Sequence, residues 1–339
     1  MGPGLFRFLL SSAVVVVHYS SLSVGATSVY LFFGLSGYWV SKMWSVKYST
    51  LTSPYVTFLI SRAWRLAPVF LFCSLLALFV TVLLPSLIPA VKPPVLLSTE
   101  MLVSSFILLG YHTEHRGPLG PAWSLDMEMQ FYILAPMIFG ALRSRPRVAT
   151  ALIVALGCVS SIIYGGQLLP TYLPMFLIGM LAAQYPEYLR GGRMKIASAV
   201  LASSILLAFL SIPALRPILF GGANPGELFV FNGLLNVVIA LAAIPFALNT
   251  VFHKSNRLDK LLADMSYSVY LFHWIPILAV TYYFPWLAKQ QFLARAVATM
   301  GVLVFTYAAS YAITIWIDRP LNKARTGFVR GSPIPVLAT

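Results

Sequence analysis

Arg7 and His18 share one stripe of the first apolar segment, FRFLLSSAVVVVHY. Eleven residues of α-helix make three turns plus about 20°, so the two side chains point the same way, about 16 Å apart along the axis. Ionisable groups within a membrane span are costly and by default mark function. An imidazole exchanges a proton near neutral pH and can act first as base and then as acid, as transfer of an acyl group to a hydroxyl requires. The plainer reading of Arg7 is a snorkelling anchor at the membrane surface. That of His18 is a core histidine bonded to a carbonyl. Four consecutive valines before His18, in a helix whose other polar residues nearby are serines, weigh against the second.

Four further groups could join this chemistry. In ISRAWRLAP, Arg62 and Arg65 lie one turn apart just ahead of an apolar run, with Pro68 beyond them. They serve either as topology signals or as a clamp whose guanidinium forks suit phosphate oxygens. In GPAWSLDMEMQFYILAP, Trp123, Ser124, Asp126 and Glu128 open a run after the turn residues Gly120 and Pro121. Ser124 and Glu128 are four apart and share a face. Asp126 suits a helix N-terminus, whereas Glu128 sits deeper and is one of only nine acidic residues. His273, in SYSVYLFHWIP, is as readily structural as cavity-lining, near the face of Ser266, Tyr270 and Trp274. His112, Glu114 and His115 lack the further ligands that would specify a metal site, so no metal is expected. Gly34, Ser36 and Gly37 read as tight helix packing.

The elements that position these groups are membrane helices. Apolar residues make up 59% of the 339 and charged residues 9%, against about a quarter charged in soluble domains. One polytopic all-α domain is expected over residues 1–326, with a short cytoplasmic tail at 327–339. The first run lacks a basic leader and a cleavage site, so it reads as the first span rather than a signal peptide. Cys73 and Cys158 both lie in apolar runs and read as core residues rather than a disulfide or metal pair. No internal repeat stands out. The net charge of +14 does not point to nucleic acid, because the basic residues fall in short clusters between apolar runs.

Eleven apolar runs occur near 5–22, 28–41, 66–84, 96–110, 123–142, 148–164, 170–184, 196–212, 228–249, 265–283 and 292–317. If all crossed, the cluster at Arg143, Arg145 and Arg147 and that at Arg190, Arg193 and Lys195 would face away from the one at Lys42, Lys47, Arg62 and Arg65. The conflict disappears if 96–110, marginal in length, is a re-entrant or interfacial segment in an outer loop at 85–122. That gives about ten transmembrane helices with both termini cytoplasmic. Lys254, Arg257, Lys260 and the last cluster, Arg319, Lys323, Arg325 and Arg330, then also face the cytoplasm. Only Lys92, Arg116, Arg216, Lys289 and Arg295 fall on or toward the outer side.

Taken in order, Arg7 and His18, FFGLSG at 32–37, SRAWRLAP at 61–68, AWSLDMEMQFYILAP at 122–136, MSYSVYLFHWIP at 265–276 and IDRP at 317–320 resemble the acyltransferase-3 family of integral membrane acyltransferases. Asp318 stands where a glutamate is common before Arg–Pro. The resemblance implies acyl transfer, usually of acetyl, from cytoplasmic acyl-CoA to a hydroxyl of a cell-surface or exported glycan in the bacterial cytoplasmic membrane. Its partners would be acyl-CoA as donor substrate, a glycan or lipid-linked saccharide acceptor, and membrane lipids; no bound cofactor is expected. With the chain ending soon after its last run, no extracytoplasmic hydrolase-like domain is expected. By the same resemblance His18 and Glu128 are catalytic, Arg7, Arg62 and Arg65 bind the donor, and Trp123, Ser124 and His273 bind substrate or are structural. Glu128 is expected to orient His18 or the acceptor. Two rivals remain at this point: a family member acting on a small molecule such as a macrolide, and a glycan or lipid transporter.

Overall fold

The computed structural model describes residues 1–20, 22–83, 99–111, 117–166, 168–189, 192–221, 226–283, 286 and 292–331. Among the described residues the regular structure is helical, and the only extended pairing is an isolated bridge between Leu22 and Phe220. The main helices are α1 Pro3–Tyr19, α2 Gly25–Met43, α3 Pro54–Leu78, α4 Thr99–Phe106, α5 Trp123–Ser144, α6 Pro146–Tyr164 and α7 Leu173–Gln184. They continue with α8 Gly192–Ser211, α9 Asn232–Asn249, α10 Arg257–Phe272, α11 Trp274–Tyr283, α12 Phe292–Ile313 and α13 Arg319–Gly331. Single π turns extend α2 (Trp44–Tyr48) and α3 (Phe79–Leu83) and join α12 to α13 (Thr314–Asp318).

Among the described residues, five helical stretches are long and apolar enough to cross a membrane: Pro54–Val82, Pro146–Tyr164, Met194–Ser211, Glu227–Phe252 and Ala296–Gly331. The molecule is therefore an all-α membrane protein. Of the other expected spans, α2 and α5 are long enough, at 19 and 22 residues, but less apolar, and others are shorter or interrupted. The run at 170–184 becomes the twelve-residue α7, about 18 Å against a hydrocarbon core of about 30 Å. The run at 265–283 is two helices broken at His273 rather than one. Pro276 explains the break, since it lacks an N–H and its ring crowds the carbonyl four residues back. α4 has eight residues among those described, about 12 Å. The expected boundary at 326/327 falls inside α13. Cys73 is buried as expected, but Cys158 lies on an exposed side of α6 and is not a core residue; both thiols are free.

The most extensive interfaces pair α2 with α7, α1 with α10, α8 with α9, and α9 with α2. Missing side chains make the first of these close. A Cβ on Gly179 would strike the Gly34 carbonyl oxygen, and one on Gly37 would strike that of Phe176. Phe176 then stacks between Phe33, with ring centroids 4.6 Å apart, and Phe131, at 4.0 Å. Gly179→Val is accordingly expected to force α2 and α7 apart. A loss of about 1–3 kcal/mol, typical of overpacking, should appear as a lower melting temperature in detergent. An unchanged melting temperature would show that the two backbones have room to spare.

A second contact sets the position of α1. The Asp259 carboxylate, in the first turn of α10, accepts from the Gly4 N–H at 3.2 Å and the Leu5 N–H at 2.9 Å. It thereby satisfies donors that a helix start leaves open and places negative charge at the positive end of the helix dipole. Asn256 caps α10 in turn by accepting from the Asp259 N–H at 2.8 Å, and Ser255 donates to the Asp259 carboxylate. Gly4 lies against the Asp259 carbonyl, where a Cβ would not fit. The start of α1 is therefore pinned, and Arg7 lies one turn beyond the pin.

Candidate active site

Arg7, Arg62, Arg65 and Glu128 line one cavity of about 350 Å³. Six helices, α1, α2, α3, α5, α10 and α13, and the π turn after α2 converge on it, and that turn brings in Lys47 and Tyr48. The Arg62 guanidinium lies over the rings of Phe58, Tyr132 and Tyr48 at 5.4, 5.7 and 5.8 Å, and its Nε is buried with no hydrogen-bond partner. Aromatic faces thus hold its plane, and among the described residues no carboxylate ties up its N–H fork. Arg65 is partly neutralised by Asp318, 3.5 Å away on the π turn between α12 and α13. Arg7 lies 5.7 Å over the Trp39 ring. Ser36 donates to Glu128 Oε1 at 2.6 Å and Tyr132 donates to the same oxygen at 2.5 Å. The glycine-rich patch of α2 therefore packs tightly, as its sequence suggests, and also orients the carboxylate.

His18 lines a second cavity, of about 520 Å³, together with Trp123, Tyr270 and Trp274. Its ring presents an exposed surface there. His273 stacks on it, with centroids 5.3 Å apart and planes 28° apart, and Trp274 meets it edge-on at 5.2 Å. These two neighbours come from the break between α10 and α11. His273 is fully buried, and its Nδ1 lies 3.1 Å from the Val269 carbonyl. A carbonyl only accepts, so Nδ1 carries the proton and Nε2 presents a lone pair; Nε2 is buried with no hydrogen-bond partner. Trp123 packs on Tyr172 with centroids 5.4 Å apart.

A narrow apolar slot of about 90 Å³ lies between the two. Phe32, Glu128, Ser266 and Tyr267 line both the slot and the basic cavity, and Val29 and Tyr270 line both the slot and the His18 cavity. Ser124 also faces the slot, its Oγ 2.7 Å from the Tyr270 hydroxyl, and both hydroxyls reach the Pro121 carbonyl, at 3.1 and 3.2 Å. The three spaces form a series with shared walls. The arrangement can hold a polyanion at one end, exclude water in the middle and offer an imidazole at the other end.

Of the residues singled out in the sequence, Arg7, Arg62 and Arg65 come together, as do Ser124 and Glu128, and as do His18, Trp123 and His273. Glu128 and His18 line different cavities, and the contacts of the carboxylate are with Ser36 and Tyr132 rather than the imidazole. Asp126 is fully buried and accepts from the Gly110 N–H at 3.1 Å and from Gln130 at 2.8 Å, so it anchors a loop end as well as suiting the start of α5. His112, Glu114 and His115 lie outside the described residues. Among the described residues no group of three His, Cys, Asp or Glu side chains could hold a metal ion. Sequence reasoning assigned Lys47 and Arg325 to topology alone, yet both line the basic cavity.

The sequence profile of the acyltransferase domain family matches residues 3–317, nearly the whole chain. The chain belongs to the acyltransferase-3 family. It is an acyltransferase, and the cavities described above lie almost wholly within the matched residues. It is similar to the exopolysaccharide production protein ExoZ of Rhizobium meliloti, 25% identical over 272 residues, covering 76% of this chain and 78% of that protein. It is also similar to the O-acetyltransferase OatA of Staphylococcus aureus, 26% identical over 319 residues, covering 83% of this chain. The matched part spans about half, 51%, of the length of the staphylococcal protein. No solved structure matches the acyltransferase.

Proposed function

We propose that this acyltransferase moves an acyl group, acetyl in the first instance, from acyl-CoA at the cytoplasmic face of the bacterial inner membrane to a hydroxyl of a cell-surface or exported glycan, or of its lipid-linked precursor. The observation that carries the reading is the series of three spaces: guanidinium groups at one end, an apolar slot, and an imidazole at the other. The names of the relatives, one for exopolysaccharide production and one an O-acetyltransferase, support a glycan acceptor. The placing of basic clusters supports ten crossings with both termini cytoplasmic, which makes the Arg62 end the cytoplasmic one. The segment around α4 is then re-entrant or interfacial.

In this reading acyl-CoA enters from the basic end. Arg7, Arg62 and Arg65 hold its phosphates through charge-assisted forks. The pantetheine arm runs past Glu128, whose carboxylate accepts from its amide N–H groups, and through the slot between Phe32 and Tyr270. The rise along α1 from Arg7 to His18, about 16 Å, suits an extended arm. His18 then takes the proton of the acceptor hydroxyl as the oxygen attacks the thioester carbonyl. The tetrahedral intermediate collapses with cleavage of the C–S bond, and the imidazolium returns the proton to the departing thiolate. His273 and Trp274 hold the plane of the His18 ring, and Trp123 walls the acceptor side. The dry slot keeps water from the thioester.

The test is reconstitution in vesicles with labelled acetyl-CoA and a glycan acceptor, following thiol release and label in the glycan. Acceptor-dependent release of CoA with matching label in the glycan is expected. Glycan crossing the bilayer with neither would favour a transporter and overturn the proposal.

A further inference from the structure

The four basic residues of α13 do not share one surface. At 3.6 residues per turn, Arg319, Lys323 and Arg330 fall within about 40° of one another, and all three are exposed. Arg325 falls about 140° from the middle of that group, on the flank of Phe328 and the buried Val329. A topology signal accounts for the exposed three. It does not account for a guanidinium on the face turned toward the protein, where a charge requires a partner.

That face is docked on α3, on the turn that carries the donor-site arginines. Phe328 packs on Trp64, with ring centroids 6.0 Å apart, and Arg325 Nη1 donates to Ser61 Oγ at 3.1 Å. Arg325 thereby lines the basic cavity beside Arg62 and Arg65, and its Nε is buried with no hydrogen-bond partner. Five cations line this space, Arg7, Lys47, Arg62, Arg65 and Arg325, against the single carboxylate of Glu128. Asp318, paired with Arg65 at 3.5 Å, offsets one more of them, so the net excess is three positive charges. A pyrophosphate diester brings about two negative charges, and a phosphomonoester adds close to two more. A bare pyrophosphate therefore leaves positive charge in the cavity uncompensated, and a third, terminal phosphate would take it up. α13 begins beyond residue 317, where the family match ends, so this cation is supplied by a helix outside the matched domain.

We propose that Arg325 binds the ribose 3′-phosphate of the CoA donor, making α13 part of the donor site and a determinant of its selectivity. The proposal rests on the acyl-CoA reading of the basic cavity. The experiment is equilibrium binding of CoA and of dephospho-CoA, which lacks only that phosphate, to the purified full-length protein and to its Arg325→Gln and Arg325→Lys variants. The wild type is expected to bind CoA at least roughly tenfold more tightly than dephospho-CoA, the scale of one charge-assisted phosphate contact. Arg325→Gln should bring CoA down to the level of dephospho-CoA and leave dephospho-CoA unchanged; that unchanged affinity also shows that the variant is folded. Arg325→Lys should recover part of the difference. Equal losses for both ligands, or no loss for either, would overturn the role of Arg325 while leaving the acyl-CoA reading standing. A wild type that binds neither ligand would overturn both.

Discussion

His18→Ala should abolish acyl transfer while leaving membrane insertion and donor binding intact. General acid–base catalysis by a positioned side chain contributes about 10²–10⁴-fold, and among the described residues nothing beside His18 offers an obvious substitute. His273 has a free lone pair on Nε2, but that nitrogen is buried and the residue does not line the cavity, so it is out of reach of an acceptor hydroxyl there. Trp274 and Trp123 have donors only. The loss should therefore lie in kcat, with the affinity for CoA within about twofold of wild type, because the ring lines a cavity separated by the slot from the one holding the arginines. Removal of the ring takes away an exposed surface and one stacking partner, so the melting temperature should change little. A His18→Ala enzyme with full turnover would eliminate the proton-transfer role. One with normal turnover per bound donor but weak CoA binding would move His18 into the donor site.

The arginines of α3 should behave in the opposite manner, and unequally. Arg62 rests on three aromatic rings with no carboxylate paired to it among the described residues, whereas Arg65 shares its charge with Asp318 at 3.5 Å. A hydrogen bond to a charged group is worth about 1.5–3 kcal/mol, so Arg62→Ala should weaken CoA binding by roughly 10- to 100-fold. Arg65→Ala should cost less, because the lost attraction to phosphate is offset in part by the carboxylate already beside it. The double variant should raise KM for acyl-CoA by roughly 100-fold or more, with kcat at saturation close to wild type. Isothermal titration with CoA, together with steady-state kinetics, separates these outcomes. Unchanged affinity in the double variant would return both residues to topology alone.

Much of this was legible in the sequence because the relevant signals are local. A composition of 59% apolar and 9% charged residues leaves a buried-helix membrane architecture as the fold class, since only closed backbone hydrogen bonding survives in lipid. The 3.6-residue period is enough to set Arg7 and His18 on one stripe of one helix, and Ser124 and Glu128 on one face of another. Gly34 and Gly37 announce a close helix approach from type and spacing alone, and Gly179 opposite Gly34 completes it.

What the sequence could not decide is which helix faces each stripe, because that depends on contacts between residues far apart in the chain. Ser36 and Glu128 meet across 92 residues, and Arg325 and Ser61 across 264. Periodicity places Arg325 on the inward flank of α13, but only the docking of that helix on α3 turns the flank into a cavity wall. Likewise, Asp259 reads as an ordinary first-turn acid of α10, and its capping of α1 appears only once α1 lies against it. The break at His273 depends on Pro276, which is visible in the sequence, yet the stacking of the freed imidazole on His18 needs α1 packed against α10. The identities of the chemical groups are thus a property of the chain, and their partners are a property of the helix crossings.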